Sequence, residues 1–181
     1  NTVVTLIGDG GSGQRVFSDS SVLFLPDCGP RAQKRYIGQR AIDEYMASGM
    51  NGRFVQSIKS VLPDPSFVQT NIYEKMYSPE ELAAMIIRDF KNKIEDFLGT
   101  EINGAVFGRP VNFSTIGADD VLAETRLRAA AERCGFSRIE FLYEPVAAAA
   151  RYTPELSADS VALVCDFGGG TADFSVIRLE T

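Results

Sequence analysis

Asp166-Phe167-Gly168-Gly169-Gly170-Thr171-Ala172-Asp173 is the stretch on which the reading of this chain turns. Apolar runs flank it, Val161-Ala162-Leu163-Val164-Cys165 before and Phe174-Ser175-Val176-Ile177-Arg178-Leu179 after. Two runs of strand length around three consecutive glycines predict an antiparallel hairpin. Glycines also let successive backbone N–H groups face one concavity, an anion nest with no side chain in the way. Thr171 adds a hydroxyl donor. Asp166 and Asp173 are hard oxygen donors suited to Mg²⁺, directly or through water, so the loop suits a metal–phosphate complex. A plain hairpin with two incidental aspartates has the same residues, and taken alone the stretch leaves both readings open. The chain contains no GxxxxGK[ST], so the cradle is not a Walker A loop.

Moving outward, Glu144-Pro145 stands between a strand pattern, Arg138 to Leu142, and the alanine-rich helix start Val146 to Ala150. A carboxylate at the C-terminal end of a strand is where α/β sheets gather catalytic groups. An ordinary acidic residue favoured by a helix N-terminus reads the same way. Lys59, in Phe54-Val55-Gln56-Ser57-Ile58-Lys59-Ser60, is a third candidate, and by itself it reads as a surface lysine. Gly8, Gly10 and Gly13 satisfy GxGxxG after a strand. A dinucleotide loop needs a helix next, to receive the pyrophosphate. Gln14-Arg15-Val16-Phe17-Ser18-Asp19 has no helical period, so this motif is read as a hairpin turn.

The remaining pattern is α/β. Val3–Ile7, Arg15–Phe17 and Val22–Leu25 predict an opening β-meander, followed by a short helix at Ala41–Met46 closed by Gly49. Gly52 to Phe67, with Arg53, Lys59 and Pro63-Asp64-Pro65, predicts mostly loop. Ser78-Pro79-Glu80-Glu81 is a capping box with proline at the first helical position. Leu82, Met85, Ile86, Phe90, Ile94 and Phe97 then recur at helical spacing up to Gly99, opposite a solvated Lys91/Lys93/Glu95 face. A strand at Ile102–Phe107 and a helix from Ala118 to Cys134, stopped by Gly135, complete the series. Strands alternating with helices after residue 78 imply parallel pairs, and the opening meander makes the sheet mixed.

Composition bounds the function. The 181 residues include 18 basic and 24 acidic side chains, a net charge of −6, and no histidine. That balance argues against a nucleic-acid partner, and the missing histidine removes histidine-based triads and zinc sites. No apolar run is long enough to span a membrane, and Asn1-Thr-Val-Val-Thr carries no basic leader. Three scattered cysteines, Cys28, Cys134 and Cys165, predict reduced and mostly packed thiols and a cytoplasmic location.

Taken together, Glu144-Pro145-Val146-Ala147-Ala148-Ala149-Ala150-Arg151-Tyr152, the Val161–Cys165 strand and the Asp166–Asp173 loop resemble the ATPase domain of the seventy-kilodalton heat-shock chaperones, within the actin–hexokinase superfamily. Tyr36-Ile37-Gly38, Ser57-Ile58-Lys59, Pro79-Glu80-Glu81-Leu82 and Gly104-Ala105-Val106-Phe107-Gly108-Arg109-Pro110 agree in order and spacing. Val146 stands where the family usually has threonine, and Ala172 where it has phenylalanine, which marks a divergent, chaperone-like member.

The resemblance implies a ribonuclease-H-like, actin-like ATPase lobe. Residues 1–152 would form most of the first lobe, its first strand and phosphate loop preceding Asn1, and residues 153–181 the start of the second. Such a stretch would hydrolyse ATP negligibly alone. The resemblance makes Gly168, Gly169, Gly170 and Thr171 a phosphate loop, and Asp166 and Asp173 the residues that organise Mg²⁺ and the attacking water. Glu144 would lie near that water, and Lys59 would neutralise charge on the γ-phosphate. It implies ATP and ADP as ligands, with client polypeptides and co-chaperones engaged by the full-length protein. An actin-like filament or scaffold protein, a small-molecule kinase of the same superfamily and a nucleotide-binding regulatory protein are the competing readings.

Overall fold

The computed structural model describes residues 2–7, 13–28, 34–113, 119–150, 157–167 and 172–180. β1 (Thr2–Ile7) and β2 (Gly13–Asp19) pair antiparallel, with Thr2 opposite Asp19 and Ile7 opposite Gly13. Gly13 of the GxGxxG motif thus opens a strand and not a helix; Gly8 and Gly10 lie outside the described residues.

The predicted meander does not continue. β3 (Leu23–Pro26) leaves β2 and becomes the centre of a separate antiparallel sheet, between β4 (Tyr36–Ile37) and β5 (Gly52–Val55). Leu23 and Phe24 are almost fully buried, and a central position pairs both backbone edges of such a strand. α1 (Gln39–Ala47) packs on this sheet. The predicted loop at residues 52–67 is also corrected. It contains β5, in register from Leu23 opposite Val55 to Pro26 opposite Gly52, and the single turn α2 (Ile58–Val61). Charged residues and prolines masked a strand whose pairing is tertiary and a turn anchored by the buried Ile58.

β6 (Thr70–Ile72) and β7 (Lys75–Tyr77) form a tight hairpin. Tyr73 and Glu74 at its turn both have left-handed backbone, φ 49° and 64°. The hairpin leads into α3 (Pro79–Leu98), which has the predicted capping box and ends at Gly99 with φ 67°. Leu82, Ile86, Phe90 and Ile94 are buried, whereas Phe97 is exposed and makes an edge-on ring contact with Phe17, centroids 5.8 Å apart. The solvated face is corrected at two positions. Lys91 and Glu95 are largely covered and paired at 2.6 Å, and Lys91 lies over the Phe136 ring.

β8 (Gly104–Arg109), α4 (Asp120–Arg133) and β9 (Arg138–Tyr143) form the parallel unit implied by the alternation, with Gly104 opposite Arg138 and Arg109 opposite Tyr143. α5 (Glu144–Ala150) follows β9 with no intervening residue. β10 (Ser160–Phe167) and β11 (Ala172–Leu179) form the predicted antiparallel hairpin, paired from Ser160–Leu179 to Phe167–Ala172. Parallel and antiparallel ladders occupy separate small sheets among the described residues, where the sequence implied one mixed sheet.

One core joins Leu23, Ile58, Leu82, Phe90, Ala130 and Phe136, so it links the three-stranded β4–β3–β5 sheet, α2, α3 and α4. Cys134 belongs to it and its thiol donates to the Ala84 carbonyl, while Cys28 and Cys165 are exposed, which corrects the expectation of mostly packed thiols. No described helix is long and apolar enough to cross a membrane.

Candidate functional site

Lys59 and Glu144 are brought together from 85 residues apart. Lys59 Nζ donates to Glu144 Oε1 at 2.8 Å and to Oε2 at 3.0 Å. Ile58 is buried in the core, so the next residue of the short α2 projects outward. On the other side, β9 runs directly into α5, which places Glu144 at the C-terminal end of a parallel strand. Both side chains stay half-exposed, 50% and 36%. An ion pair that open to water contributes only about 0–1 kcal/mol to stability.

The hairpin is the second half of the site. Asp166 and Asp173 are direct register partners on β10 and β11, next to the Phe167–Ala172 pair that ends the ladder. Both are exposed. Like charges directly opposite on paired strands repel, at a cost of a few tenths of a kcal/mol or more. A divalent cation between them would reverse that term, and two carboxylates with open flanks fit Mg²⁺, which keeps several waters and takes phosphate oxygens. No cluster of three or more potential metal-ligating side chains occurs among the described residues. Gly168, Gly169, Gly170 and Thr171 lie outside the described residues. α5 links the two halves: the helix that begins at Glu144 packs against both β10 and β11 as well as β8 and β9. Its alanines permit that close approach, and Ala149 is buried.

Two residues that shape the site escaped the sequence reading. Gly108 of β8 lies beside Glu144, where any side chain would press on the carboxylate stem. In the sequence it stands out only as part of the Gly104–Pro110 run that resembles the family. Arg126 of α4 is buried and donates to backbone carbonyls in the segment that follows Lys59. A signal existed: Ala123, Arg126 and Ala130 share one helical face, and both alanines are buried.

Comparison with known proteins gives the family. The sequence profile of the family described as Hsp70 protein matches residues 27–181. A chaperone protein HscA homolog of Bordetella petrii is 35% identical over 146 residues, covering 81% of this chain and 21% of that protein. The HscA homolog of Cupriavidus taiwanensis is 30% identical over 181 residues, covering 91% of this chain and 27% of its own length. That of Cupriavidus pinatubonensis is 29% identical over 195 residues, covering 99% and 29%. The chain thus spans between a fifth and a third of the curated relatives it matches. With the family profile matching most of its length, the chain belongs to the Hsp70 family.

Proposed function

We propose that this chain supplies part of the ATP-hydrolysing site of a chaperone, in which cleavage of the γ-phosphate drives folding or remodelling of client polypeptides in the cytoplasm. The observation that carries the reading is the Lys59–Glu144 pair, a cation and a carboxylate held at the open end of a parallel unit with little stability to gain from it. In this reading the fold is a ribonuclease-H-like, actin-like lobe. Residues 1–152 make most of the first lobe and 153–181 begin the second, a boundary outside the described residues. Co-chaperones act through the full-length protein.

The chemistry divides among the named residues. Backbone N–H groups at Gly168, Gly169 and Gly170, with the Thr171 hydroxyl, hold phosphate oxygens of ATP. Asp166 and Asp173 hold Mg²⁺, which when bound offsets charge on those oxygens. Water adds to the γ-phosphorus as the bond to the ADP oxygen breaks. Glu144 orients that water, and the Lys59 ammonium stabilises charge on the transferring phosphoryl group. Catalysis of this kind is chiefly positioning and electrostatic stabilisation, which suits a site built of fixed charges and no histidine.

Lys59→Ala in the intact protein tests the reading. A group acting on charge that develops in the transition state should lower the chemical step by about two to three decades and leave ATP affinity within a few-fold. Gly169→Val should instead weaken ATP binding, because a β-branched side chain would fill the nest. Single-turnover hydrolysis beside equilibrium titration with labelled ATP separates the two. Unchanged hydrolysis in Lys59→Ala would return Lys59 to the status of a surface lysine.

A further inference from the structure

Arg126 is the buried charged residue of α4, and its bonds converge on one segment. Its Nη1 donates to the carbonyls of Val61 at 3.2 Å, Leu62 at 3.0 Å and Asp64 at 2.8 Å, and its Nη2 to that of Phe67 at 3.0 Å. Nε faces Glu80 Oε1, on the first turn of α3, at 3.3 Å. The Pro63 carbonyl is held from the same helix, by the backbone N–H of its N-cap residue Asp119. Five of the seven carbonyls from Val61 to Phe67 are therefore met by α4 or its cap.

Val61 closes α2 and Leu62 is its C-cap. A single helical turn cannot hold its own shape in water, because nucleation fixes several residues for one hydrogen bond. Its terminal carbonyls also have no partners within the helix. The orientation of α2, and hence of Lys59, is accordingly set from outside: by Ile58 below and by Arg126 at the C-terminal end. An apolar residue at position 126 would fill the space and remove all of these donors, although the Val61 and Asp64 carbonyls would keep the backbone N–H groups of Asp64 and Phe67.

The origin of the clamp matters as much as its strength. α4 is the crossover between β8 and β9, and β9 delivers Glu144. Arg126 thus references the helix that carries Lys59 to the same unit that carries Glu144. We propose that Arg126 is a positioning residue for Lys59, acting through the backbone of residues 61–67 and without touching the nucleotide. The proposal rests on the catalytic role given to Lys59 above.

A double-mutant cycle in the intact protein tests it, with single-turnover ATP hydrolysis and ATP affinity measured for wild type, Lys59→Ala, Arg126→Lys and the double variant. Lysine keeps the charge but cannot fan its donors over four carbonyls. Small misplacement of a catalytic group is costly, so Arg126→Lys should lower the rate about tenfold with affinity changed less than about twofold. In the Lys59→Ala background the same change should cost less than about twofold, because the group being positioned is gone. An equal loss in both backgrounds, or rate and affinity falling together, would make Arg126 a structural residue only and overturn the proposal while leaving Lys59 in its role. No loss in Lys59→Ala itself would overturn the role of Lys59 and this proposal with it. Should Arg126→Lys fail to fold, Glu80→Gln, which leaves the carbonyl bonds in place, carries the same cycle with a loss of about two- to threefold expected only where Lys59 is present. No loss, or an equal one in both backgrounds, would again overturn it.

Discussion

Gly108 and Glu144 touch across the end of the parallel unit: a methyl group at position 108 would lie 3.2 Å from Glu144 Cγ and 3.6 Å from Oε1. Such a contact is tighter than ordinary packing, so the carboxylate stem has to move by a few tenths of an ångström. Gly108→Ala should loosen the Lys59–Glu144 pair and lower the rate of ATP hydrolysis several-fold. Gly108→Val should lower it about a hundredfold, the scale expected when a catalytic group is displaced by ~1 Å. Single-turnover rates check this, and a rate unchanged by valine would remove Glu144 from the chemistry. Stability should change little in Glu144→Gln, since the pair is half-exposed.

Asp19 gives the protein a predicted acid sensitivity away from the site. Its Oδ1 accepts from the backbone N–H of Gln39, the first residue of α1, at 2.6 Å, and from that of Ser20 at 2.7 Å; Lys93 Nζ lies 3.3 Å from Oδ2. Burial pushes the carboxyl up, but the two N–H groups and the Lys93 ammonium outweigh it and hold Asp19 below the ordinary carboxylate value. A depressed carboxyl stabilises the fold above its unfolded pKa of about 3.9, and that contribution disappears as pH falls through the lower folded value. Asp19→Asn should therefore flatten the loss of stability below about pH 4, measured as urea midpoints from pH 7 to 2.5. Parallel profiles for the two proteins would show that the carboxyl is not linked to folding.

Gly38, just before α1, is constrained by the same carboxylate. Its φ is +70°, and a Cβ there would collide with the Asp19 carboxyl group. Gly38→Ala should destabilise by more than the ~1 kcal/mol of left-handed strain alone, since the remote cap must also move. Comparing Gly38→Ala in the wild-type and Asp19→Ala backgrounds isolates the collision: the penalty should shrink in the second.

Ser78 and Glu81 form a reciprocal cap, Glu81 N–H donating to Ser78 Oγ at 3.3 Å and Ser78 N–H to Glu81 Oε2 at 2.9 Å. Ser78→Ala should cost about 1 kcal/mol, read from urea denaturation, and Ser78→Asp should restore most of it. Equal stability in all three would mean that packing of Leu82 and Phe90 alone defines the start of α3.

What the sequence determined by itself is local. The capping box and Gly99 bound α3, the proline of Glu144-Pro145 opens α5, and two apolar runs around three glycines make a hairpin, because each depends on backbone preferences within a few residues. Asp166 opposite Asp173 follows from the same local register. The family, too, was legible, since the order of its motifs survives in a single chain and its profile matches residues 27–181. Tertiary structure decided the rest. β5 exists because β3 offers it an edge, in a segment whose charges and prolines read as loop. Lys59 reaches Glu144 across 85 residues, and Arg126 meets the carbonyls after α2 across about 60. Contacts at that separation leave no mark in local propensity, because their energy appears only once the intervening chain has closed and given up its conformational entropy.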